Sequence, residues 1–253
     1  MQTFDLARRA GFDNISLDFI YGLPEQTLDD WRATLERALA LAPEHLSLYA
    51  LKVEEGTGLE HQIKRGKYVK PDDDLAADMY ELAEEMLAAR GYAQYEISNW
   101  AKKIPNPKSQ LPISNFHAER PTSHHNLTYW HNEPYLGFGT GAHSCFGGER
   151  FWNVLSPQEY IQHIERGESV VAGREPISRE LEIAETMILG LRLNEGIQFA
   201  DFARRYGEDA REKFARQLRE VNELGLIEQS EASVRLTPRG RLLSNEVFWR
   251  LLP

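Results

Sequence analysis

Apolar and polar residues alternate along the first part of the chain as they do in strands, and between these stretches apolar residues recur at helical spacing. NISLDFIYGLP alternates Ile15, Leu17 and Phe19 with polar residues before a Gly/Pro turn, which predicts a strand. Apolar residues then repeat every three or four positions after an N-cap at Thr27, which predicts a helix that ends before Pro43. HLSLYALKV and AQYEISNW predict two further strands, with a helix in PDDDLAADMYELAEEMLAARGY between them. This alternation predicts parallel βα units.

The predicted α/β part is too short to form a closed barrel. It holds about two βα units, so the sequence predicts the later part of a larger sheet. An open sheet edge before residue 14 would be prone to aggregate, which favours a front portion of the sheet that is supplied by another segment. KKIPNPKSQLPISNFHAERPT, with four prolines, interrupts the pattern and predicts a surface insertion without catalytic duty over about residues 102–122.

Helical patterns dominate the chain after Trp152. SPQEYIQHIERG opens with Ser156 as an N-cap and Pro157 at the first helical position, and SRELEIAETMILGLRLNEG predicts a helix that is capped at its opening Ser178 and has an apolar face. FADFARRYG and DAREKFARQLREVNELG predict two more helices, and LIEQSEASVRLTPRGRLLSNEVFWRLL predicts a short hairpin that leads into a last helix. Helices followed by a two-stranded wing indicate a winged-helix-like appendage. The predicted domains are therefore residues 1–150 and 151–253.

Composition and charge restrict the function further. The chain has 253 residues, of which 42% are apolar and 27% charged, without the roughly 18 consecutive apolar residues of a membrane helix or the pattern of a signal peptide. The single cysteine, Cys145, excludes an internal disulfide framework and fits a reducing cytoplasm, and no Cys-His-Asn spacing marks it as a nucleophile. A net charge of −10 argues against nucleic-acid and anionic-membrane partners.

Two acidic groups follow the predicted strands. Asp18 lies near the end of the first strand, where parallel α/β sheets bind ligands, so its carboxylate could accept hydrogen bonds from ribose hydroxyls or cap a loop amide. Glu54, Glu55 and Gly56 follow the second strand and predict either a part of the same site or a solvated turn. Both interpretations stay open for each group.

The stretch SHHNLTYWHNEPYLGFGTGAHS is the richest in candidate chemistry. It contains four of the eight histidines, and His124, His125 and His131 could offer an imidazole to a metal or to a porphyrin iron. Tyr129 and Trp130 are flat and apolar and could stack on a planar ligand. The alternative is an ordinary packed segment with a glycine-rich turn, since the glycines lack the full phosphate-binding context.

Several segments, taken in order, resemble one family. They are GFDNISLDFIYGLPEQTLDDWRATLERALALAPEHLSLYALKVEEGTGL, YEISNWAK, HNLTYWHNEPYLGFGTGAHS and LTPRGRLLSNEVF. Together they resemble radical S-adenosylmethionine proteins related to oxygen-independent coproporphyrinogen III oxidase, and HNLTYW is similar to the HemW branch of haem chaperones. The resemblance implies an α/β fold: the C-terminal part of an incomplete (βα)6 TIM-like barrel, which in the family binds a [4Fe-4S] cluster and S-adenosylmethionine, followed by a helical, winged-helix-like C-terminal domain.

The resemblance also implies a role for individual residues. Asp18 matches the strand-end acid that contacts the nucleoside of S-adenosylmethionine, and Lys52 and His143 fall where family members make further contacts to that ligand.

A second set of residues matches the signature of the chaperone branch. His125, Asn126, Tyr129 and Trp130 fit the pattern HNxxYW, which implies haem binding with His125 as a ligand to the haem iron.

The departure from the family concerns the cluster motif. CxxxCxxC does not occur in this sequence, and a [4Fe-4S] cluster needs cysteine thiolates, so none of these residues is assigned as a cluster ligand. We expect that this chain alone does not cleave S-adenosylmethionine reductively. It would then be a fragment, a subunit whose separate N-terminal half completes the barrel, or a relic.

Three functions stay open. The resemblance favours a haem chaperone that binds haem for transfer to an acceptor protein in the cytoplasm. The second is porphyrinogen oxidative decarboxylation in porphyrin biosynthesis, which would require the absent cysteine segment. The third is a non-catalytic interaction module that uses the winged-helix-like end. No catalytic residue is assigned under any of them.

Overall fold

The computed structural model describes residues 2–102 and 122–253. They divide into two compact units, Met1–Thr122 and Ser123–Pro253. The predicted insertion over 102–122 lies almost wholly outside the described residues. Within these residues no helix is both long enough and apolar enough to span a bilayer.

The first unit is a four-stranded sheet with helices packed on one face. In chain order its elements are α1 (Gln2–Arg9), β1 (Ser16–Tyr21), α2 (Leu28–Ala40), β2 (His45–Ala50), α3 (Gly58–Lys64), α4 (Asp73–Ala89), β3 (Tyr92–Glu96) and β4 (Asn99–Lys102). The strand order is β1-β2-β4-β3. Strand β1 pairs in parallel with β2, and Ser16 lies opposite His45.

The sequence predicted the start of α2 correctly because the signal is local. Thr27 accepts a hydrogen bond from the Asp30 backbone at 3.1 Å, and the Asp30 carboxylate accepts one from the Thr27 backbone at 3.0 Å. This reciprocal capping box satisfies two backbone donors that a helix start otherwise leaves open.

One prediction for the first unit is wrong. AQYEISNW does not form a single strand parallel to its neighbours but a hairpin, β3 and β4, and β4 pairs antiparallel with both β2 and β3. The reversal occurs at Glu96, whose carboxylate accepts hydrogen bonds from the Ser98 backbone at 2.8 Å and from the Asn99 side-chain amide. Side-chain to backbone bonds of this kind stabilise a turn. The sequence did not predict the turn because the whole segment has the composition of a strand.

The core of the first unit lies between the sheet and the helices α2 and α4. Trp31 and Leu35 of α2, Leu46 and Leu48 of β2, and Met79 of α4 are almost completely buried. The indole of Trp31 donates a hydrogen bond of 2.9 Å to the Met79 backbone carbonyl, so its polar atom is also satisfied. The helical repeat of apolar residues in the sequence therefore marks the core face of α2.

The second unit combines helices with two small antiparallel sheets. Its elements are α5 (His124–Trp130), β5 (His143–Phe146), β6 (Glu149–Asn153), α6 (Pro157–Arg166), β7 (Val171–Pro176), α7 (Arg179–Gly190), β8 (Ile197–Gln198), α8 (Phe199–Tyr206), α9 (Ala210–Lys213), α10 (Ala215–Glu223), β9 (Ile227–Gln229), β10 (Ser233–Leu236), α11 (Pro238–Leu242) and α12 (Ser244–Leu251). The sheets have the orders β5-β6-β7 and β8-β10-β9.

The predicted caps and hairpin of the second unit are confirmed, and two details differ. Ser156 and Ser178 cap α6 and α7, and β9 and β10 form the hairpin. The hairpin gains a third strand, β8, and the segment predicted as one helix is divided at Phe214. The domain boundary predicted after residue 150 falls within β6, which pairs with β5, whereas the compact units divide at Thr122.

We expect Leu35→Ala to lower the free energy of unfolding by about 3 kcal/mol, because it removes a completely buried side chain and leaves a cavity in the core. Urea denaturation of the full chain measures the loss. Glu36→Ala, at the exposed neighbouring position of the same helix, is the control and should change the stability by less than about 0.5 kcal/mol. Equal losses in both variants would contradict the assigned core.

Candidate functional site

The signature HNxxYW lies on the short helix α5. Ser123 caps the helix by accepting a hydrogen bond of 3.3 Å from the Asn126 backbone, and Leu127 is buried. The side chains of His124 and His125 are exposed. The segment is therefore a capped helix that is anchored on one side and presents two imidazoles on the other.

Aromatic rings connect His125 to the interior of the second unit. The ring of His125 meets the edge of Tyr129 at 4.9 Å between centroids, one helical turn later. Tyr129 in turn meets Tyr135 at 4.6 Å. The structure thus brings two of the four signature residues into direct contact, as their spacing of four residues on a helix requires.

The C-terminal end of α5 is held by residues that the sequence analysis did not single out. Arg205 donates hydrogen bonds to the carbonyls of His131 at 2.8 Å and of Asn132 at 2.7 Å. Asn132 has a φ of 50° and donates a side-chain hydrogen bond of 2.9 Å to the Thr186 hydroxyl, which bonds Tyr206 at 2.6 Å. We call Arg205, Asn132 and Thr186 the α5 clamp. No motif marks these residues, because their role depends on contacts between distant segments.

Trp130 has a different neighbour from Tyr129. The guanidinium of Arg192 lies 4.2 Å from the centroid of the Trp130 ring, within the distance of a cation–π interaction. The indole Nε1 of Trp130 is buried and has no hydrogen-bond partner among the described residues. Buried indoles usually find a partner.

Tyr129 and Trp130 line a cavity of about 720 Å³ within the second unit. The segment after α5, the sheet strands β5 and β6, and the helices α7 and α12 provide the other walls. This volume lies within the range of small-molecule sites in proteins.

The glycine-rich turn is bound by its own chain. The backbone of Gly137 donates a hydrogen bond of 2.9 Å to Ser144, and the Asn153 side chain donates one of 2.9 Å to the carbonyl of Gly139. A Cβ at position 137 would collide with the His143 carbonyl, and Gly139 has a φ of 99°. The local geometry therefore explains these glycines as a packed turn.

His143 follows this turn as the first residue of β5. Its side chain is exposed and stacks on Trp152 with 5.9 Å between ring centroids. His143 belongs to the second compact unit, whereas Asp18 and Lys52 belong to the first.

Asp18 lies on the face of the sheet opposite the helices and is exposed. The Ser16 hydroxyl donates a hydrogen bond of 3.2 Å to its carboxylate and also contacts Nδ1 of His45 at 2.8 Å. Nε2 of His45 contacts the Tyr95 hydroxyl at 2.9 Å. A neutral imidazole with its proton on Nδ1 satisfies all these bonds, because Nδ1 then donates to Ser16 and Nε2 accepts from Tyr95. A continuous row of hydrogen bonds therefore runs across the strands from Tyr95 to Asp18.

Burial keeps His45 neutral. It lowers the pKa of the imidazole to about 4, and the nearby Asp18 carboxylate only partly opposes this effect.

Lys52 lies two residues beyond β2. Its exposed ammonium pairs with Glu54 at 3.0 Å. Glu54, Glu55 and Gly56 form an exposed turn before α3, and the hydroxyl of Thr57 caps that helix. The solvated-turn interpretation is thus the one that fits the local structure.

Cys145 is a free, half-buried cysteine of β5. Burial raises the pKa of its thiol, and the positive charge of Arg150 only partly opposes this effect. In the described ranges no three His, Cys, Asp or Glu side chains are grouped to hold a metal ion. A [4Fe-4S] cluster needs several thiolates, so the donor set of these 253 residues does not fit one.

Comparisons with known proteins show what the chain is similar to. Residues 177–243 match the model of the HemN C-terminal domain. The fold matches a solved structure of the Escherichia coli coproporphyrinogen III oxidase HemN, a radical S-adenosylmethionine enzyme, with a TM-score of 0.75 and 22% identity over 99% of this chain and 57% of that one. The chain therefore has a mixed α/β fold like that of this enzyme, and its C-terminal part resembles the HemN C-terminal domain.

The chain is also similar in sequence to haem chaperones. The chain is 40% identical to the haem chaperone HemW of Bacillus subtilis over 99% of its own length and 62% of that protein. It is 35% identical to the haem chaperone HemW of Mycobacterium tuberculosis strain H37Rv over 96% of this chain and 56% of that one. The resemblance to HemW predicted from the motifs is therefore confirmed, and the chain spans about three-fifths of the length of these curated relatives.

We expect the stability of the first unit to fall with decreasing pH because of His45. The unfolded imidazole, with a pKa of about 6.5, takes up a proton before the folded one, whose pKa is about 4. The stabilising contribution is complete above about pH 6.5 and is lost as the pH falls towards 4, with a slope of up to about 1.4 kcal/mol per pH unit. Urea denaturation between pH 7.5 and 4.5 measures it.

The control variants separate this imidazole from the other titrating groups. His45→Gln should weaken the pH dependence, whereas His61→Gln, at an exposed position of the same unit, should preserve it. The same slope in His45→Gln and the wild-type chain would contradict a neutral buried His45.

Proposed function

We propose that the chain is a haem chaperone, like the HemW relatives that carry this name, and that it binds haem for transfer to an acceptor protein. The observation that carries the proposal is the helix α5, in a chain 40% identical to HemW over 99% of its length. This helix presents the signature His125 to solvent, with Tyr129 in contact with it. An imidazole is a common axial ligand of haem iron. Because His125 is exposed, its imidazole is accessible to haem from solvent.

We also propose that Asp18, Lys52 and His143 contact S-adenosylmethionine in the complete protein, as the family resemblance implies. The exposed carboxylate of Asp18 can accept hydrogen bonds from hydroxyl groups, and Ser16 holds it in place. When bound, this cofactor together with a cluster would supply radical chemistry. The donor set of these residues does not fit the cluster, so we attach no step to it.

The finer architecture belongs to the same proposal. The parallel pair β1 and β2, with α2 and α4 on one face, supports an incomplete (βα)6 barrel in which a further segment or a separate N-terminal half continues the sheet. The three-stranded sheet β8-β10-β9 and its adjoining helices support a winged-helix-like C-terminal domain. A cytoplasmic location fits the single cysteine.

Titration of the full chain with haem, followed by the Soret band, tests the proposal. We expect the wild-type chain to bind haem and His125→Ala to weaken the binding by about tenfold, because one iron ligand is lost. His124→Ala removes the adjacent exposed imidazole of the same helix and is the matched control, with an affinity within about twofold of wild type. An unchanged spectrum on addition of haem to the wild-type chain would exclude haem binding by this chain.

A further inference from the structure

Five of the fourteen residues that line the cavity in the second unit are aromatic. Tyr129 and Trp130 come from α5, Tyr135 from the segment that follows, and Phe248 and Trp249 from α12. Flat rings on several sides favour a flat ligand, since offset stacking and edge contacts both need planar partners. Trp249 is 58% exposed, and the guanidinium of Arg250 lies 4.4 Å from the centroid of its ring.

One cation interrupts this apolar lining. Arg150 of β6 lines the cavity, and its guanidinium donates to Glu185 at 2.8 Å and to Glu175 at 3.2 Å. These hydrogen bonds raise the pKa of Arg150, with the one to Glu185 as the largest cause, so the group stays charged. A guanidinium has five N–H donors, so it can bind another carboxylate beside these two.

The acidic groups in the cavity set a requirement for the ligand. Glu185 and Glu133 also line it, and their charge disfavours small free anions. A ligand that combines a large flat apolar body with a peripheral carboxylate gains from the aromatic walls and reaches Arg150 as well. A carboxylate-bearing tetrapyrrole has this combination of properties.

We propose that this cavity takes up the tetrapyrrole ring and that Arg150 binds a carboxylate at its periphery. The proposal rests on the proposed haem-binding function and assigns a place and a recognising residue to it. His125 itself does not line the cavity, but it contacts Tyr129, which does, so the proposed iron ligand lies next to a wall of the cavity.

The experiment compares haem with haem dimethyl ester, which has the same ring but no free carboxylate. We expect Arg150→Gln to weaken haem binding by about tenfold and to leave the affinity for the ester unchanged, because only the free acid pairs with the guanidinium. Arg174→Gln is the matched control: this exposed arginine of the neighbouring strand pairs with Glu149 and does not line the cavity. It should bind both ligands like the wild-type chain.

A second variant tests the cavity itself. Ile188→Trp places a larger side chain in the cavity wall and should lower the affinity for haem and for its dimethyl ester by about tenfold or more. Leu155→Trp, at a position that is 83% exposed and away from the cavity, should not. Circular dichroism of each variant shows that it is folded, and Trp249→Ala, at an exposed position, replaces Ile188→Trp if that variant does not fold.

The outcomes separate this proposal from the function on which it rests. If the wild-type chain binds no haem, both fail. If it binds haem and His125→Ala weakens the binding, but Ile188→Trp binds haem like the wild-type chain, the tetrapyrrole ring does not lie in this cavity and the proposal is overturned. If Arg150→Gln lowers the affinity for haem and for its ester equally, or changes neither affinity, Arg150 does not recognise a carboxylate and that part of the proposal is overturned.

Discussion

The candidate site depends on the α5 clamp, the hydrogen bonds that hold the C-terminal end of α5. A helix of seven residues is too short to be stable alone, because nucleation costs more than so few hydrogen bonds return. Arg205 satisfies two carbonyls at the end of this helix, and Asn132, in a left-handed conformation, reaches across to Thr186 of α7. The charged donor strengthens these bonds, and its position at a helix C-terminus agrees with the helix dipole.

The geometry of the signature follows from this constraint. Once α5 is fixed at both ends, by Ser123 at its start and by the clamp at its end, its opposite sides have different surroundings. His125 is directed to solvent, whereas Leu127 is buried and Tyr129 and Trp130 line the cavity. One short helix can therefore present an exposed imidazole and two aromatic rings at an apolar cavity. This combination suits a ligand with a metal centre and a flat apolar body.

The sequence revealed what depends on local chemistry. The caps at Thr27 and Ser178 and the apolar face of α2 are confirmed, because each is decided by residues within one or two turns. The hairpin at Glu96 was missed, because its strands have the composition of one continuous strand and only the pairing of β4 with β2 distinguishes them. Whether two strands pair in parallel or antiparallel depends on contacts between distant segments, so the periodicity of apolar residues does not predict it.

In the candidate site, too, the sequence indicated the local features and missed those that depend on contacts between distant segments. The motif identified the four signature residues but not that they form the helix α5, whereas the cavity joins segments from Tyr129 to Leu252 and leaves no pattern in the sequence. Arg150 and Arg205 are ordinary charged residues in the sequence, and only their contacts distinguish them from the exposed Arg174. The three residues implied for S-adenosylmethionine are divided between the two compact units. Their joint role stays a prediction.

Hydrogen–deuterium exchange of the α5 amides in Arg205→Met tests the central claim most directly, with Arg204→Met, an exposed arginine paired with Asp201, as the control. We predict that Arg205→Met increases exchange over residues 124–132 by about tenfold, since two charge-assisted bonds are lost, while α7 keeps its protection. Arg204→Met should leave both regions unchanged. Equal protection of α5 in Arg205→Met and the wild-type chain would contradict the claim that the clamp holds the signature helix in place.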